Sequence, residues 1–349
     1  MRRQRQPCRP PPIGGREENM PVGNTLEKHF DDYAAEQQYS GTVLVEQEGR
    51  LLFAQAYGQA NDEHQVANRI DTKFCIASIT KPMTALAVLM LMERGALELH
   101  QRAANYLPAS LAIDSNITVH HLLTHTSGLP DFEALPNFGE LGRQAFSDEE
   151  VFELVAHLPL EFTPGSGWKY SNTGYNLLGA MIEHITGNSY REYMKEHIWT
   201  PLEMNDTDCC CSRSIVPGLA QGYTRSREDG PDLAKAPFFE ISNFKASGNV
   251  YSTAADLLQW DRCLQMRTVP LVASATLELM FSPHAAVAAG RSYGYGLSLD
   301  TSSRGHGGHL PGYWSQYRYY PEKQATIIML SNHDFIVEGD IITRTAELL

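Results

Sequence analysis

The sequence contains little cysteine and no long apolar run. Its 349 residues include six cysteines, too few for a disulfide framework in a chain of this length. Three of them, Cys209, Cys210 and Cys211, are consecutive, and adjacent cysteines are poorly placed to bridge each other. No apolar stretch reaches the roughly 18 residues that a membrane-spanning helix needs. We therefore expect a reduced, cytoplasmic protein without a membrane span.

Positive charge is also scarce. The chain has 28 Lys and Arg residues against 41 Asp and Glu residues, so its formal net charge is −13. Binding to nucleic acid requires a basic surface, so we expect no nucleic-acid partner. The charge instead favours a protein that handles small or cationic substrates. The content of 42% hydrophobic and 20% charged residues is ordinary for a globular protein of one large domain or two interleaved ones.

The first twenty residues differ from the rest of the chain. Residues 1–20 are rich in Arg, Pro and Gln and lack the apolar centre of a signal peptide. We expect a disordered tail here, with Met20 as an alternative start of the protein. A targeting or docking segment is the other interpretation of a basic, proline-rich tail.

The 13 histidines raise the question of a metal site. His120, His121 and His125 lie close together in the sequence, and so do His306 and His309. However, the sequence has neither a His-Glu-x-x-His stretch nor paired Cys-x-x-Cys motifs. His120 and His121 are adjacent, so they point in different directions on a helix. A phosphate-binding Gly-rich loop and a dinucleotide fingerprint are missing too. We therefore expect no metal site.

The stretch at residues 74–82 carries a candidate nucleophile. Ser78 and Lys81 are three residues apart, a spacing that places both on one face of a helix. Pro82 belongs to the first helical turn because it has no N–H to donate. Ser78 then lies at the positive end of the helix dipole, and the run from Met83 to Met92 predicts a helix buried on every side. A hydroxyl, an amine and a helix N-terminus together favour nucleophilic catalysis. The alternative is a capping serine with a surface lysine.

A second candidate stretch is Tyr170-Ser171-Asn172. It lies in a loop bounded by Gly and Pro, just before a predicted helix. A phenol beside a cationic lysine would have a lowered pKa, so Tyr170 could exchange a proton with Ser78 or with a leaving group. Asn172 offers both a donor and an acceptor to a substrate amide. The alternative role for Tyr170 is to cap a loop against the core.

A third candidate stretch is the Gly-rich segment at residues 305–312, which contains His306 and His309. We place it at the start of a strand, where glycines let another backbone approach closely. The backbone N–H of His309 is then a natural second oxyanion donor beside that of Ser78. The alternative is a hairpin turn with solvent-facing histidines.

Periodicity predicts strands at both ends of the chain and helices between them. The predicted strands are residues 42–46, 51–57, 293–300, 313–320 and 325–330. The predicted helices, with capping signals at Ser147, Ser189 and Thr253, are residues 24–38, 117–123, 148–157, 172–184, 190–199, 254–264 and 335–349. The fold class is therefore α/β (α+β): an antiparallel sheet built from both chain ends and flanked by helices, plus an inserted all-α domain.

This topology also predicts the domain organisation. The sheet subdomain takes about residues 21–80 and 285–349, and the helical subdomain takes about residues 81–284. We expect the active site where the two meet, because clefts favour such boundaries. Several aromatic residues are candidates for its walls, although most of the first group are expected in the core. The first group is Tyr313, Trp314, Tyr317, Tyr319 and Tyr320, of which Tyr313 or Trp314 is the wall candidate because both closely follow the third stretch. Phe132, Trp168 and Phe244 are wall candidates with less support.

Together and in this order, the three stretches resemble the serine β-lactamase and penicillin-binding-protein superfamily. The resemblance is to its class C branch, which includes β-lactamases, D-alanyl-D-alanine carboxypeptidases and esterases. The family pattern of Ser-x-x-Lys, Tyr-x-Asn and Lys/His-x-Gly corresponds here to Ser78-x-x-Lys81, Tyr170-x-Asn172 and His306-x-Gly308. Residues 121–129 and 164–165 also look like the family, and the resemblance covers roughly residues 25–349. It implies a β-lactamase/transpeptidase-like fold, which agrees with the predicted topology.

The resemblance also implies a role for each matching residue. Ser78 would be the acylated nucleophile and Lys81 its activator, while Tyr170 would shuttle the proton. His306 would support Tyr170, and the backbone N–H groups of Ser78 and His309 would form the oxyanion hole. The implied substrate-binding positions are Asn172, Gly307 and Gly308. The resemblance implies no organic cofactor, and it leaves open whether Lys81 or Tyr170 is the operative base.

One position departs from the family pattern. Lactamases and peptidases of the family usually carry a hydroxyl residue in the middle of the third motif, where this chain has Gly307. We therefore expect a serine hydrolase of the esterase, amidase or peptidase type that acts on a small ester, amide or peptide. A true β-lactamase or D,D-carboxypeptidase is the alternative within the enzymes. A catalytically idle binding or assembly module is the alternative from another class.

Overall fold

The computed structural model describes residues 21–210, 212–226, 232–336 and 340–349. The predicted tail at residues 1–20 and the last of the three consecutive cysteines, Cys211, lie outside the described residues. In chain order the strands are β1 (Gly41–Gln47), β2 (Arg50–Tyr57), β3 (Gln59–Asn61), β4 (Val66–Ala67), β5 (Phe74–Cys75), β6 (Asp208–Cys209), β7 (Tyr223–Arg225), β8 (Leu233–Lys235), β9 (Val250–Ser252), β10 (Ala285–Ala288), β11 (Arg291–Tyr293), β12 (Ser298–Asp300), β13 (Arg304–Leu310), β14 (Tyr313–Tyr320) and β15 (Ala325–Ser331).

The helices alternate with these strands mainly in the middle of the chain. In chain order they are α1 (Pro21–Gln37), α2 (Thr80–Glu93), α3 (Val119–Leu123), α4 (Phe138–Leu141), α5 (Asp148–Ala156), α6 (Asn172–Thr186), α7 (Tyr190–Met194), α8 (Ala254–Leu264), α9 (Ser274–Phe281) and α10 (Ile341–Leu348). A π-helical turn at Lys195–Trp199 continues α7. None of the helices in the described part of the chain is both long and apolar enough to cross a membrane.

Eight strands form one antiparallel sheet in the order β10-β11-β12-β13-β14-β15-β1-β2. Strand β1 lies between its hairpin partner β2 and the late strand β15, with Gly41 opposite Ser331. Strands from the two ends of the chain therefore pair inside the sheet, one strand away from its β2 edge. This arrangement confirms the prediction of one antiparallel sheet built from both chain ends.

Alternating apolar residues on β1 and β15 fill two separate cores. Val43 and Val45 pack on one face with residues of α1 and α10, including Leu26 and Ile342. Leu44 faces the other way, into the large core formed with the helical middle of the chain. Because successive side chains of a strand point to opposite faces, the sheet is covered on both sides. The terminal helices cover one face and the middle helices cover the other.

Helix α2 runs through the centre of the larger core. Every residue from Thr80 to Leu91 is buried, as the continuous apolar run predicts. Gly95 follows the helix with a φ of +71°, the left-handed conformation that favours glycine after a helix end. The helix therefore holds its N-terminal turn, and Ser78 just before it, in a rigid setting.

The predicted capping signals are confirmed at three helix starts. The Ser147 side chain accepts the N–H of Glu150, whose carboxylate in turn accepts the N–H of Ser147. Ser189 forms the same reciprocal pair with Glu192. The Thr253 side chain accepts the N–H of Asp256 at the start of α8. Each pair satisfies backbone N–H groups that a helix start leaves without partners.

Three predicted boundaries were wrong. The Gly-rich segment, which we placed only at the start of a strand, forms nearly all of strand β13. A Cβ on Gly305 would lie 2.0 Å from the Tyr317 carbonyl oxygen, so a glycine here permits close strand pairing. Residues 293–300 form two strands, since Gly296 has a φ of +75° and breaks the run. The last helix begins at Ile341 and not at Phe335, which lies in a turn.

Candidate active site

A tight turn between β5 and α2 presents Ser78. Residues Ala77–Ile79 form a single 3₁₀ turn, and Ala77 has a φ of +49°, a left-handed conformation that is unfavourable for alanine. Strand β13 packs directly on this turn, because a Cβ on Gly308 would lie 2.3 Å from the Ile76 carbonyl oxygen. Ser78 is partly exposed, while its neighbours Ala77 and Ile79 are buried. The turn therefore directs one hydroxyl outward.

The Lys81 amine lies beneath Ser78 in a fully buried position. Its Nζ is 3.0 Å from Ser78 Oγ, 2.8 Å from Asn172 Oδ1 and 2.8 Å from the Ser247 carbonyl oxygen. Burial lowers the pKa of Lys81 to about 7, although the nearby carboxylates of Asp131 and Glu133 oppose this shift. A neutral amine has two N–H groups and one lone pair. It can donate to Asn172 and Ser247 while it accepts the Ser78 proton.

The Tyr170 hydroxyl is buried and makes no hydrogen bond of ordinary geometry with the described residues. The Ser78 side chain nevertheless lies near enough to lower the pKa of the phenol, but burial has the larger effect and raises it well above its usual value. The prediction of a lowered pKa for Tyr170 was therefore wrong. Lys81 Nζ faces the ring of Tyr170, 4.6 Å from its centroid. The phenol is a neutral proton donor at neutral pH.

Two carboxylates that the sequence analysis missed hold Asn172. The Asn172 Nδ2 group donates to Asp131 Oδ2 at 3.2 Å and to Glu133 Oε2 at 2.6 Å. These two bonds fix the amide so that its oxygen faces Lys81. Asp131 and Glu133 directly follow the turn-rich loop at residues 124–130. Their position just after that loop was the available signal.

His306 on β13 is buried and neutral. Its Nε2 is 3.0 Å from the hydroxyl of Tyr293, and its Nδ1 is 2.6 Å from the carbonyl oxygen of Gly307. Because a carbonyl only accepts, Nδ1 carries the proton and Nε2 accepts from Tyr293. Burial, and then the nearby Lys81, lower the pKa of His306 to about 3. The His306 and Tyr170 ring centroids are 6.1 Å apart, and the hydrogen bond of the imidazole goes to Tyr293.

His125, considered in the sequence as a metal ligand and as part of the family-like residues 121–129, supports the Tyr170 loop. Its Nδ1 accepts the backbone N–H of Ser171 at 3.1 Å, and its carbonyl accepts the N–H of Lys169 at 3.0 Å. Its ring centroid is 4.4 Å from that of Tyr170. The two backbone bonds bracket Tyr170 on either side. His125 therefore fixes the position of the phenol.

The pairing of β13 with β14 orients the His309 backbone. Leu310 pairs with Tyr313 across a two-residue turn, and His309 pairs with Trp314. A two-residue hairpin closes on a hydrogen-bonded pair, and such pairs alternate with pairs that lack hydrogen bonds. The N–H of His309 therefore points away from β14 and is not used by that strand. Its imidazole Nε2 is 3.1 Å from the carbonyl oxygen of Asp334.

A cavity of about 590 Å³ brings the predicted site residues together. Lys81 lies under its floor, bonded to Ser78. The lining residues are Ala77, Ser78, Glu133, Tyr170, Asn172, Phe244, Gly248, His306, Gly307, Gly308, His309, Leu310, Trp314, Gln316, Asp334 and Ile336. Of the candidate aromatic wall residues, Phe244 and Trp314 line this cavity. Tyr313 lines a second cavity, and Phe132 packs against Phe244 in the core.

Comparison with known families agrees with this geometry. The family model described as Beta-lactamase matches residues 26–349, which include all three motifs and the whole eight-stranded sheet. The chain belongs to the beta-lactamase family. This membership confirms the predicted resemblance, and with it the prediction of a serine hydrolase. The fold class predicted from the sequence is also confirmed.

Relatives of this beta-lactamase-family chain include binding proteins and enzymes. Penicillin-binding protein 4* of Bacillus subtilis (strain 168) is 29% identical over 327 residues, which cover 88% of this chain and 71% of that protein. Esterase EstB of Burkholderia gladioli is 38% identical over 197 residues, which cover 52% of this chain and 50% of that protein. The crystal structure of D-amino acid amidase from Ochrobactrum anthropi SV3 is similar with a TM-score of 0.78 and 25% identity, covering 94% of this chain and 98% of that one.

The departure from the family pattern at Gly307 has a structural counterpart. Gly307 pairs with Gln316 across β13 and β14, and both line the cavity. A Cβ on Gly307 would lie 2.8 Å from Gln316 Nε2. The amide of Gln316 therefore occupies space beside the position where lactamases and peptidases of the family carry a hydroxyl residue.

Four other histidines, His100, His120, His121 and His284, form a cluster away from this cavity. His120 Nδ1 is 2.9 Å from the hydroxyl of Tyr295, and the ring centroids of His100 and His284 lie 5.0 and 5.3 Å from that of His120. Within the described ranges, no group of three or more His, Cys, Asp or Glu side chains is arranged to hold a metal ion.

Proposed function

We propose that this serine hydrolase cleaves small esters or amides through an acyl-enzyme on Ser78. The observation that carries the proposal is the 3.0 Å contact between Ser78 Oγ and Lys81 Nζ. The hydroxyl opens into a cavity, while the amine is buried and has a pKa of about 7. This arrangement places a nucleophile next to a base that is substantially neutral at physiological pH.

In the acylation step, Lys81 is the base. As Ser78 Oγ attacks the substrate carbonyl carbon, its proton moves to the Lys81 amine. The carbonyl oxygen becomes an oxyanion, which the backbone N–H groups of Ser78 and His309 stabilise. The N–H of His309 is directed away from β14, which supports this role. Gly308 has no side chain, so β13 can pack closely against the nucleophile turn. Gly307, the residue before it on β13, forms part of the cavity wall that would face the substrate.

Tyr170 is the acid that completes acylation. Its neutral phenol donates a proton to the departing alkoxide or amine, and the Lys81 ammonium then returns a proton to the phenolate. In deacylation a water molecule attacks the acyl carbon while Lys81 accepts its proton. Ser78 is then the leaving group, and the same proton transfers follow as in acylation. Asn172 positions the substrate and Lys81. His125 holds the phenol in place through the backbone, and His306 supports His125 through Tyr293, whose ring centroid is 4.7 Å from that of His125.

The test compares wild type with Ser78→Ala. A p-nitrophenyl ester reports turnover, and a fluorophosphonate reports covalent labelling by intact mass and peptide mapping. We expect labelling on Ser78 and a loss of several orders of magnitude in kcat for the variant. Ser274→Ala, an exposed position on α9, is the matched control and should behave as wild type. Full activity in Ser78→Ala would overturn the proposal, and absence of labelling with any probe would favour an idle binding module.

A second candidate activity is that of a penicillin-binding D,D-peptidase. The 29% identity to penicillin-binding protein 4* over 88% of the chain favours it, whereas Gly307 and the adjacent Gln316 amide count against it. A persistent mass adduct of a penicillin on Ser78 would support this candidate. Rapid ester turnover without a penicillin adduct would support the esterase or amidase. The cytoplasmic location remains a prediction from the cysteine content.

A further inference from the structure

A second cavity, of about 340 Å³, adjoins the catalytic cavity, because Leu310 lines both. The thiols of Cys75 and Cys210 form part of its wall. The exposed residues Ser212 and Phe238 line it as well, so the cavity reaches the protein surface. A small molecule from solvent therefore has a path to both thiols, although the two cysteines are only 4% and 7% exposed.

The three-stranded sheet β5-β9-β6 places these two cysteines on one face. Strand β9 is the middle strand, and its Tyr251 pairs both with Cys75 on β5 and with Asp208 on β6. The N–H of Cys210 donates to the carbonyl oxygen of Asn249 at 2.6 Å, which continues this pairing beyond β6. Paired residues project to the same face, and so do residues two apart on a strand. Cys210, two residues after Asp208, therefore projects to the same face as Cys75.

The two thiols also interact directly. Both belong to one buried apolar cluster. A hydrogen bond from the Cys75 thiol lowers the pKa of Cys210, although burial and the charge of Glu240 oppose this shift. The same contact, together with burial, raises the pKa of Cys75 well above its usual value. Because the thiolate is the nucleophilic form of cysteine, Cys210 is the thiol that attacks first and Cys75 is the one that keeps its proton.

Cys75 is connected to the catalytic nucleophile through the backbone. It lies three residues before Ser78, and the two residues between them are held tightly. Ser315 Oγ donates to the Ile76 carbonyl oxygen at 2.9 Å, and Ala77 has a φ of +49°, which is unfavourable for alanine. A displacement of Cys75 therefore reaches Ser78. Misplacement of a reacting group by about 1 Å costs roughly 10²-fold in rate.

A bond between the two sulfurs would cause such a displacement. Strands on either side of a common partner lie roughly 10 Å apart, whereas a disulfide joins Cα atoms roughly 4.4–6.8 Å apart. A disulfide between Cys75 and Cys210 therefore draws β5 toward the end of β6 and stores strain. Strained disulfides are more easily reduced, and easily reduced disulfides are typical of redox sensors in reducing compartments.

Building on the proposed function, we propose that Cys75 and Cys210 are an oxidation site at which a peroxide switches off hydrolysis by Ser78. The Cys210 thiolate attacks one oxygen of hydrogen peroxide, the O–O bond breaks, and the departing hydroxide takes up the proton that Cys210 released. The Cys75 sulfur then attacks the sulfenic acid sulfur of Cys210, the S–O bond breaks, and water leaves with the Cys75 proton. One peroxide thus oxidises two thiols to one disulfide and is reduced to two water molecules.

The test treats reduced protein with hydrogen peroxide, removes the peroxide with catalase and measures hydrolysis of a p-nitrophenyl ester. We expect kcat/KM of wild type to fall at least tenfold and to recover with dithiothreitol. Peptide mapping should find one bridge between Cys75 and Cys210. Recovery with dithiothreitol distinguishes the disulfide from sulfinic acid, which thiols do not reduce.

Cys210→Ser is the decisive variant, because it removes the attacking sulfur and keeps a side chain of similar size. It should hydrolyse the ester as wild type does, both before and after peroxide. Cys75→Ser is the second variant and should be equally resistant, since Cys210 then has no partner for the bridge. Cys209→Ser is the matched control. It changes a partly exposed cysteine next to Cys210 and should stay as sensitive as wild type.

Three outcomes would overturn the inference. They are full activity of wild type after peroxide, a bridge from Cys210 to Cys209 or Cys211 in place of Cys75, and an equal loss of activity in Cys210→Ser and wild type. Fluorophosphonate labelling of Ser78 is measured on the reduced samples. Reduced protein that labels but is insensitive to peroxide overturns this inference alone, whereas reduced protein that neither labels nor hydrolyses the ester overturns the proposed function as well.

Discussion

Lys81 and Asn172, which are 91 residues apart in the sequence, are joined by a 2.8 Å hydrogen bond between Nζ and Oδ1. The first and second motifs are therefore one unit, and the amine that contacts Ser78 is positioned by the amide of the second motif. Asp131 and Glu133 orient that amide from its other end. The position of the base thus depends on residues from three separate segments of the chain.

Replacement of Lys81 should separate activity from stability. We expect Lys81→Met to lower kcat about 10³-fold or more, since the variant has no base beside Ser78. Its melting temperature should stay the same or rise, because an apolar side chain of similar size avoids the cost of burying an amine. Thermal unfolding and ester hydrolysis measure the two effects. Lys28→Met at an exposed site is the control for both, and a strong loss of stability in Lys81→Met would contradict the argument.

The pH profile should report the titration of Lys81. Its pKa is lowered to about 7, so below that pH the amine is protonated and cannot accept the Ser78 proton. For a neutral ester, kcat/KM should rise with pH and level off above about 7. His306, with a pKa of about 3, stays neutral over this range, so His306→Asn should keep the same midpoint while it lowers the rate. A flat profile between pH 5 and 8 would show that Lys81 is not the base.

Two neighbouring glycines should respond differently to the same substitution. A Cβ on Gly308 would lie 2.3 Å from the Ile76 carbonyl oxygen and 3.0 Å from Ala77 Cβ. Gly308→Ala should therefore push β13 away from the nucleophile turn and lower kcat about 10²-fold. On Gly307 the closest atom is the end of the Gln316 side chain, which can move, so Gly307→Ala should cost much less. If both variants lost the same amount of ester hydrolysis, the close contact of Gly308 with the Ile76 backbone would not explain the loss in Gly308→Ala.

Breaking a buried ion pair between β1 and α8 should be strongly destabilising. Glu46 is 1% exposed and contacts the guanidinium of Arg262, with 3.0 Å between Oε2 and Nε. Arg262→Met should lower the free energy of unfolding by about 3 kcal/mol, because it leaves a carboxylate buried without its main partner. Adding Glu46→Met should restore most of the loss.

The control for this pair is an exposed one. Arg69 and Asp71 are 76% and 62% exposed, so Arg69→Met should change the free energy of unfolding by less than about 1 kcal/mol. Denaturant unfolding at a fixed pH measures all of these variants. A double variant less stable than Arg262→Met alone would contradict the role of the unpaired charge.

Local chemistry made the motifs and most helices predictable from the sequence. Ser147 and Glu150 bond within one turn of helix, so their spacing alone indicates the cap. The apolar run after Pro82 likewise needs no knowledge of its neighbours to predict a buried helix. Both features are encoded within about a dozen residues. The division of the chain into two subdomains stays a prediction.

The missed features depend on partners far away in the chain. Glu133 has a role because it bonds to Asn172, and Tyr293 has a role because it bonds to His306. Neither role can be recognised from the sequence around Glu133 or Tyr293 alone. The full extent of strand β13 was missed, because so many glycines in one strand are explained only by partners such as Tyr317, which packs against Gly305. The pKa of Tyr170 was mispredicted for a similar reason. Its burial is a property of the assembled core, and burial outweighs the neighbouring charge.

The position of β1 beside β15 has a consequence for synthesis on the ribosome. Gly41 pairs with Ser331, so the edge of β1 that faces β15 has no partner until Ser331 has been translated. The nucleophile turn that holds Ser78 is completed late for the same reason, because it packs against β13. Such long-range pairing folds slowly, and the exposed edge of a nascent sheet invites association with other chains. The enzyme should therefore become active only after β13 to β15 have been made, and its nascent chain should depend on chaperones more than a protein with local pairing would.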